Sequence, residues 1–254
     1  MNLIDLANNY IFGVFLIFCR LGTAMMFFPL FSDSGVLPSV RLLMAVVISL
    51  MVYPLVSEIL PNINSTPLIL TSYIFSEVML GVFLGLAIKT FTSTLHTVGV
   101  AVSTQAGLSL AMLFDPEHAA QNSIPGIFLA LLATTMFVAL DLDHLLIKGM
   151  ITSYEKFTPG AFTTNSEYYL TNLVSIASEA ITLSLKLSMP FVIGGTLIML
   201  VGGIMARLMP SIQIFFLIIP LQVTFVIILF ALSLSYVIVT FVENYRLMLT
   251  SLFG

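Results

Sequence analysis

The stretch "MARLMPSIQIFFLIIPLQ", residues 205–222, places an arginine and two prolines inside one of the most apolar segments of the chain. No charged side chain occurs from residue 208 to residue 242. One helix of that length would extend about 52 Å, whereas the apolar core of a bilayer is about 30 Å thick. Pro210 and Pro220 each remove a backbone donor and therefore favour a break. The stretch predicts a hairpin tip, or a pore-facing break whose backbone is covered by protein or water.

The composition around this stretch predicts a polytopic membrane protein. Hydrophobic residues make up 59% of the 254 residues and charged residues 8%, with a mean hydropathy of +1.13. Soluble domains carry about 25% charged residues. The net charge of −4 comes without a basic run that would predict binding to nucleic acid. Cys19 is the single cysteine, which excludes an internal disulfide. The N-terminal region has Asp5 where a cleavable signal peptide has basic residues, so no such peptide is predicted.

Long apolar runs predict about six hydrophobic helices, because about 20 apolar residues span a bilayer core. The predicted helices are 6–31, 40–59, 68–95, 124–140 with an extension toward 151, a fifth that contains 187–206, and a sixth within 208–242. The mixed and polar stretch 99–125 and the loop 152–171 are expected to lie outside them. Tandem repeats and linkers are absent from the sequence, so it predicts a single all-α domain.

Motifs of catalysis are absent from the sequence: it has no phosphate-binding loop, H-E-x-x-H motif, nucleophile elbow or cysteine pair. Asp141 and His144 lie one turn apart in "DLDHLLIK" (141–148). A metal ion would need at least a third ligand, and none was identified nearby. The sequence therefore predicts no enzyme, no metal site and no cofactor.

Charged residues within the apolar runs suggest a second class of function. These residues are Glu77, Lys89, Lys186 and Arg207. Ionisable groups inside a membrane often mark a proton or substrate path, although long cationic side chains near helix ends also extend to the interface. A proton-coupled small-solute transporter that uses Glu77, Asp141 and His144 is therefore an alternative, and a purely structural scaffold is a third.

Small residues on two predicted helices indicate close helix packing. "GVFLG" (81–85) is a G-x-x-x-G face, and Gly195 and Gly202 belong to a glycine-rich face of the fifth helix. Such faces allow two helix backbones to approach closely. Gly81, Gly85, Gly195 and Gly202 are therefore predicted to pack against other helices, either of this chain or of neighbouring subunits.

Three segments together carry a resemblance to a known family. The first, 103–126, contains Gln105, Gly107, Leu108, Ser109, Ala111, Asp115, Pro116 and Pro125 in the pattern Q-x-G-L-S-x-A-x-x-x-D-P followed by a proline. The second, 206–222, contains Arg207, Pro210, Phe215, Pro220 and Leu221, and the N-terminal half contributes Arg20, Pro29, Pro38, Arg41 and Pro54. These segments resemble the FliR family of flagellar export-gate membrane proteins. The chain departs from the family pattern around His144. The family has an Asn-Gly-His-like element there, and this chain keeps only its histidine. The homologous SctT subunits of virulence type III secretion systems share the architecture.

The resemblance implies a subunit of a protein-conducting gate, with a FliP-like part over about 1–180 and a FliQ-like helical hairpin over about 181–254. Its implied partners are FliP-like and FliQ-like subunits, an FlhB-like switch protein, exported flagellar proteins and membrane lipid, at the basal body in the inner membrane. The implied pore plug contains Gly107, Leu108, Met112, Phe114, Asp115 and Pro116. The implied channel-facing bend contains Arg207, Pro210, Ser211, Gln213 and Pro220.

Overall fold

The structure, a computed structural model, describes residues 3–32, 36–61, 67–108, 123–209 and 214–253. All regular elements in these ranges are helices, which confirms the predicted all-α class. They are α1 (Leu3–Met25), α2 (Pro29–Ser32), α3 (Pro38–Val56), α4 (Pro67–Gln105), α5 (Ile124–Ala139), α6 (Leu142–Lys156), α7 (Ala161–Thr164), α8 (Ser166–Leu208) and α9 (Ile214–Phe253). Helix α3 begins at a proline, whose fixed φ suits the first helical position.

Several helices are long and apolar enough to cross a membrane. Within the described residues these are α3, α4, α8 and α9, and α5 with α6 forms a further candidate span bent by 71°. The predicted count of six helices is therefore not confirmed, since four or five candidate spans are found. Helix α8 has 43 residues, which corresponds to about 65 Å against a bilayer core of about 30 Å. The helix thus begins about 20 residues before the apolar run 187–206 does.

The chain forms two compact units, and both are assembled from separate parts of the sequence. The first unit contains residues 1–91, 136–178 and 246–254, and the second contains 92–135 and 179–245. The FliP-like and FliQ-like parts were predicted as consecutive segments of one domain. That division stays a prediction.

The first unit is held together by close contacts of α1 with α3 and α4. Helix α1 packs against α3, and a Cβ added at Gly81 of α4 would collide with Thr23 and the carbonyl of Arg20 on α1. At Gly85, one turn later, an added Cβ would lie 2.7 Å from the Phe27 ring. The G-x-x-x-G face therefore packs inside this chain, and its role between subunits stays a prediction.

The prediction of a loop over residues 152–171 is wrong for most of that range. Helix α6 continues to Lys156, and α8 already begins at Ser166. Aromatic packing explains the difference, because the Tyr169 ring lies 5.4 Å from Phe83 and 5.5 Å from Phe157, between ring centroids. Burying such rings is strongly favourable, and a polar sequence pattern gives no sign of it.

The second unit contains an antiparallel hairpin made by α8 and α9. Gly202 faces Ile218, Gly194 faces Phe225, and the rings of Phe191 and Phe230 lie 6.1 Å apart. The residue numbers fall along α8 as they rise along α9, so the two helices run in opposite directions. The predicted helical hairpin is present between Glu179 and Tyr245, and its likeness to FliQ stays a prediction.

The predicted end of the third helix and the predicted break at Pro220 are both wrong. Helix α4 continues about ten residues past 95, to Gln105, and the chain then turns at Gly107 with φ +73°. Glycine adopts this left-handed conformation without steric cost. Pro220 lies inside α9. Long membrane helices tolerate a proline where neighbouring groups compensate for the missing backbone hydrogen bond.

The first and fourth predicted helices are also divided in the structure. Helix α1 ends at Met25, and a separate short helix begins at Pro29. The fourth predicted helix is interrupted where Asp141 adopts φ +52°, between α5 and α6. Hydropathy is continuous across the first break and cannot reveal it, whereas Asp141, Asp143 and His144 mark the second, close to the predicted end of the fourth helix at 140.

Candidate functional site

The predicted channel-facing bend lies between α8 and α9. Arg207 is exposed in the last turn of α8, where a cation interacts favourably with the helix dipole. Gly202 contacts Ile218 across the hairpin, one to two turns before that end. Of the other predicted bend residues, Pro220 is exposed on α9. Pro210, Ser211 and Gln213 lie outside the described residues.

The predicted pore plug begins where α4 ends. Gly107 and Leu108 follow directly after the last turn, and the Gly107 N–H donates to the Thr104 carbonyl at 3.1 Å. A Cβ at Gly107 would meet nothing within 4 Å, so its positive φ alone accounts for a glycine there. The other predicted plug residues lie outside the described ranges: Met112, Phe114, Asp115 and Pro116.

The end of α4 is fixed by a glutamine of α9. The Gln222 side chain is 2% exposed, and its Nε2 donates to the Gln105 carbonyl at 2.6 Å. The last four carbonyls of a helix have no partner within that helix, so this amide caps α4 from outside. A Cβ at Gly195 of α8 would lie 2.5 Å from Gln105 Oε1. Gly195, one of the predicted packing glycines, thus leaves room for the Gln105 side chain, and this contact lies within one chain.

A second buried contact joins α4 to the start of α5. Ser123 is 3% exposed, and its Oγ donates to the Gly99 carbonyl at 3.0 Å and accepts from the Gly126 N–H at 3.1 Å. Ser123 is the N-cap residue of α5, since the Ile127 N–H donates to its carbonyl. A Cβ at Gly99 would collide with the Gly126 backbone. Two glycines therefore allow α4 and α5 to meet backbone to backbone.

A fully buried ion pair joins α1 to α4 in the first unit. Arg20 of α1 and Glu77 of α4 are both 0% exposed. Arg20 Nε donates to Glu77 Oε2 at 2.6 Å, and Nη2 donates to Oε1 at 2.9 Å. The planar guanidinium fits both carboxylate oxygens at once, which makes this a strong, geometrically specific pair.

Helix α6 completes the surroundings of Arg20. Its Nη2 also donates to the Phe157 carbonyl at 2.9 Å, and Nη1 donates to Ser153 Oγ at 3.3 Å. The guanidinium carbon lies 3.8 Å from the centre of the Tyr154 ring, a cation–π contact. One arginine thus joins α1, α4 and the end of α6.

From the sequence, Arg20 was predicted as a residue of the family pattern and Glu77 as a residue of a proton or substrate path, and no pairing of the two was predicted. Their opposite charges within two apolar helices were the available signal, since buried charges are usually paired. Lys89 and Lys186 are exposed, and Lys89 Nζ lies 5.7 Å from the Phe27 ring centre.

Asp141 and His144 lie beside a third potential ligand that the sequence interpretation overlooked. His144 Nδ1 is 3.2 Å from Asp143 Oδ1 and 3.8 Å from Asp141 Oδ1. One ligand atom from each of the three residues lies within 4.8 Å of the others. The prediction that no third ligand lies near Asp141 and His144 is therefore wrong. The cluster is largely exposed, and exposed acidic groups commonly occur without a metal ion.

Comparison with known proteins gives matches along nearly the whole chain. Residues 11–248 match the family described as bacterial export proteins, family 1. The flagellar biosynthetic protein FliR of Caulobacter vibrioides is 31% identical over 91% of this chain and 92% of its own length. FliR of Aquifex aeolicus is 23% identical over 94% of this chain and 92% of its own length. The Yop proteins translocation protein T of Yersinia pestis is 25% identical over 69% of this chain and 67% of its own length.

The family match over residues 11–248 includes all three segments that carry the resemblance. The matches agree with the all-helical architecture and with its long apolar helices. The chain therefore belongs to the bacterial export proteins of family 1, the family that contains the flagellar FliR proteins.

Proposed function

We propose that this chain is a membrane-embedded subunit of the flagellar type III export gate, through which unfolded export substrates cross the inner membrane. The observation that carries the proposal is the family match over residues 11–248. The proposed partners are FliP-like and FliQ-like subunits, with an FlhB-like protein next to the gate. The chain contributes a helical surface to the channel and has no enzymatic role.

The flagellar system is favoured over a virulence secretion system by the similarity to the FliR protein of Caulobacter vibrioides, which is 31% identical, against 25% for the translocation protein of Yersinia pestis. The FliR protein of Caulobacter vibrioides matches 91% of this chain, and the translocation protein of Yersinia pestis matches 69%. The shorter match still supports the same kind of subunit in both systems.

The arrangement around Glu77 argues against the transporter alternative. Both Glu77 oxygens accept hydrogen bonds from Arg20, and neither side chain is exposed. A proton carrier must exchange protons with water or with a neighbouring carrier, and this carboxylate is instead held in a closed ion pair. His144 and Asp141 are exposed and do not take part in this closed pair.

Co-purification tests the proposed function. A tagged copy of the full chain, extracted from flagellated cells in mild detergent, is expected to bring FliP-like and FliQ-like proteins with it. The reason is the large apolar surface left on α8 and α9, including Leu208, Phe216 and Leu232 at more than 70% exposure. A stable monodisperse monomer, with no partner bound and no loss of motility on deletion, would contradict the proposal.

We also propose that the segment after Gly107 obstructs the closed pore, as the resemblance implies. Deletion of residues 108–114 is expected to let ions and small solutes through the closed gate, because an obstruction would be shortened. The measurement is conductance of the reconstituted assembly, with the Thr104→Val assembly as control. Among the described residues, the Thr104 hydroxyl bonds to carbonyls of its own helix, so this control is expected to leave the pore intact. Unchanged conductance in a fully assembled deletion variant would contradict the plug.

The bend between α8 and α9 is proposed to face the channel. Cysteines placed at positions 211 and 213 are expected to react with a water-soluble thiol reagent in the assembled gate, because polar residues at such a break face water or protein rather than lipid. Position 228, on the apolar part of α9 and away from the bend, serves as the control that is expected to be shielded from water. Pro210→Ala and Arg207→Ala are expected to reduce export while insertion continues. Complete protection of 211 and 213 would contradict the assignment.

A further inference from the structure

We propose that Ser123 and Gln222 are positioning residues that fix the two ends of the segment between Gln105 and Ser123 to one helix, α4. The inference deepens the proposed function, because that segment contains the proposed plug. It concerns the described residues on either side of the segment and their contacts.

The first anchor is at the end of α4. Gln222 Nε2 donates to the Gln105 carbonyl at 2.6 Å, and the Gln222 side chain is almost fully buried. An amide in this position leaves an unsatisfied donor if the contact opens, which makes opening costly. Gly195 supports the contact because no side chain there displaces Gln105.

The second anchor is at the start of α5. The Ser123 hydroxyl uses both its hydrogen-bonding functions, donating to the Gly99 carbonyl of α4 and accepting from the Gly126 N–H of its own helix. An ordinary N-cap would need the second contact alone. The bond to Gly99 therefore ties the start of α5 to α4, in addition to capping α5.

The two anchors lie close together on a single rigid element. Gly99 and Gln105 are six residues apart on α4, which corresponds to about 9 Å along the helix axis. The chain leaves α4 at Gly107, where φ is +73°, and returns to α4 at Ser123. A segment whose ends are held at a short fixed separation samples fewer conformations than one with free ends. The anchors thus hold the two described ends of the segment, at Gln105 and at Ser123, a short distance apart on α4.

Gln222 also links this arrangement to the helix that follows the proposed bend. It lies on α9, two residues after Pro220, in the same hairpin as Gly202 and Ile218. A displacement of this part of α9 would therefore act directly on the last carbonyl of α4. Separate signatures of the sequence, around Gln105 and around Gln222, meet at this hydrogen bond.

The test measures the separation of the two ends in the assembled gate. Spin labels are placed at positions 108 and 124 in a Cys19→Ala background, since Cys19 is the single cysteine. Pulsed dipolar spectroscopy is expected to give one narrow distance distribution. Ser123→Ala and Gln222→Met are each expected to broaden it, with about a fivefold rise in the population of the released end, the effect of one lost hydrogen bond. Ser123→Thr keeps the hydroxyl and is expected to restore the narrow distribution.

Matched controls remove the same chemical groups where they bond within one helix. Thr104→Val removes a hydroxyl that bonds to Val100 and Ala101 of α4, and Asn244→Leu removes an amide that bonds to Thr240 of α9. Equal broadening in these controls, or no broadening in Ser123→Ala and Gln222→Met, would overturn the inference. Broadening without any rise in conductance would support the anchors and contradict the proposed plug.

Discussion

Replacement of Arg20 by alanine is expected to reduce the free energy of unfolding by about 3–5 kcal/mol, because Glu77 would remain as a buried charge without its partner. The two side chains are 0% exposed and share two hydrogen bonds. The change also removes the donors to Ser153 and Phe157. The measurement is thermal unfolding of the purified chain or assembly, together with its amount in the membrane.

The double variant Arg20→Met with Glu77→Leu separates the charge effect from the packing effect. Apolar residues of similar volume can replace a buried ion pair with little loss of stability, so the double variant is expected to be more stable than either single alanine variant. Arg20→Lys keeps the charge but loses the bidentate geometry, and an intermediate result is expected. Lys89→Ala, at an exposed position, serves as the neutral control. A double variant less stable than both single variants would show that an unpaired charge is not the cause.

Gly99→Ala is expected to destabilise the second unit by about 1–3 kcal/mol, the range found for overpacked interiors. The new methyl group would collide with the Gly126 backbone and would lie 2.7 Å from the Pro125 carbonyl carbon. A backbone cannot rotate aside as a flexible side chain can, so α4 and α5 would have to separate. The separation would also lengthen the Ser123 contact to Gly99. Thermal unfolding and the conductance of the assembled gate measure the two consequences.

Gly203→Ala is the matched control for this substitution. Gly203 lies within α8, and an added Cβ would meet nothing within 4 Å. Alanine in a helix interior is more favourable than glycine by about 1 kcal/mol, so Gly203→Ala is expected to be neutral or slightly stabilising. If Gly99→Ala unfolded at the same temperature as Gly203→Ala, the close approach of α4 and α5 would not limit stability.

The sequence by itself was sufficient to predict the class of protein and its family. Hydropathy alone indicated long membrane helices, because the apolar content of 59% is a property of composition and needs no contacts. The break after Arg207 was predicted at Pro210, since a proline restricts the backbone locally. Gly107 belongs to a family segment that the sequence shows, but its left-handed φ was not predicted, since the third helix was expected to end at 95.

Tertiary structure alone decided which residues meet. Arg20 and Glu77 are 57 positions apart, and Gln105 and Gln222 are 117 apart, so neither pair leaves a periodic signal. The G-x-x-x-G face at Gly81 indicated close packing but not its partner, which is α1. Hydropathy also misplaced the end of α4, because a polar residue such as Gln105 stays helical when a distant side chain caps it. It misplaced the start of α8, because the packing of Tyr169 on Phe83 and Phe157 leaves no hydropathy signal. Local preferences act over a few residues, whereas burial and hydrogen-bond partners depend on where the whole chain places its helices.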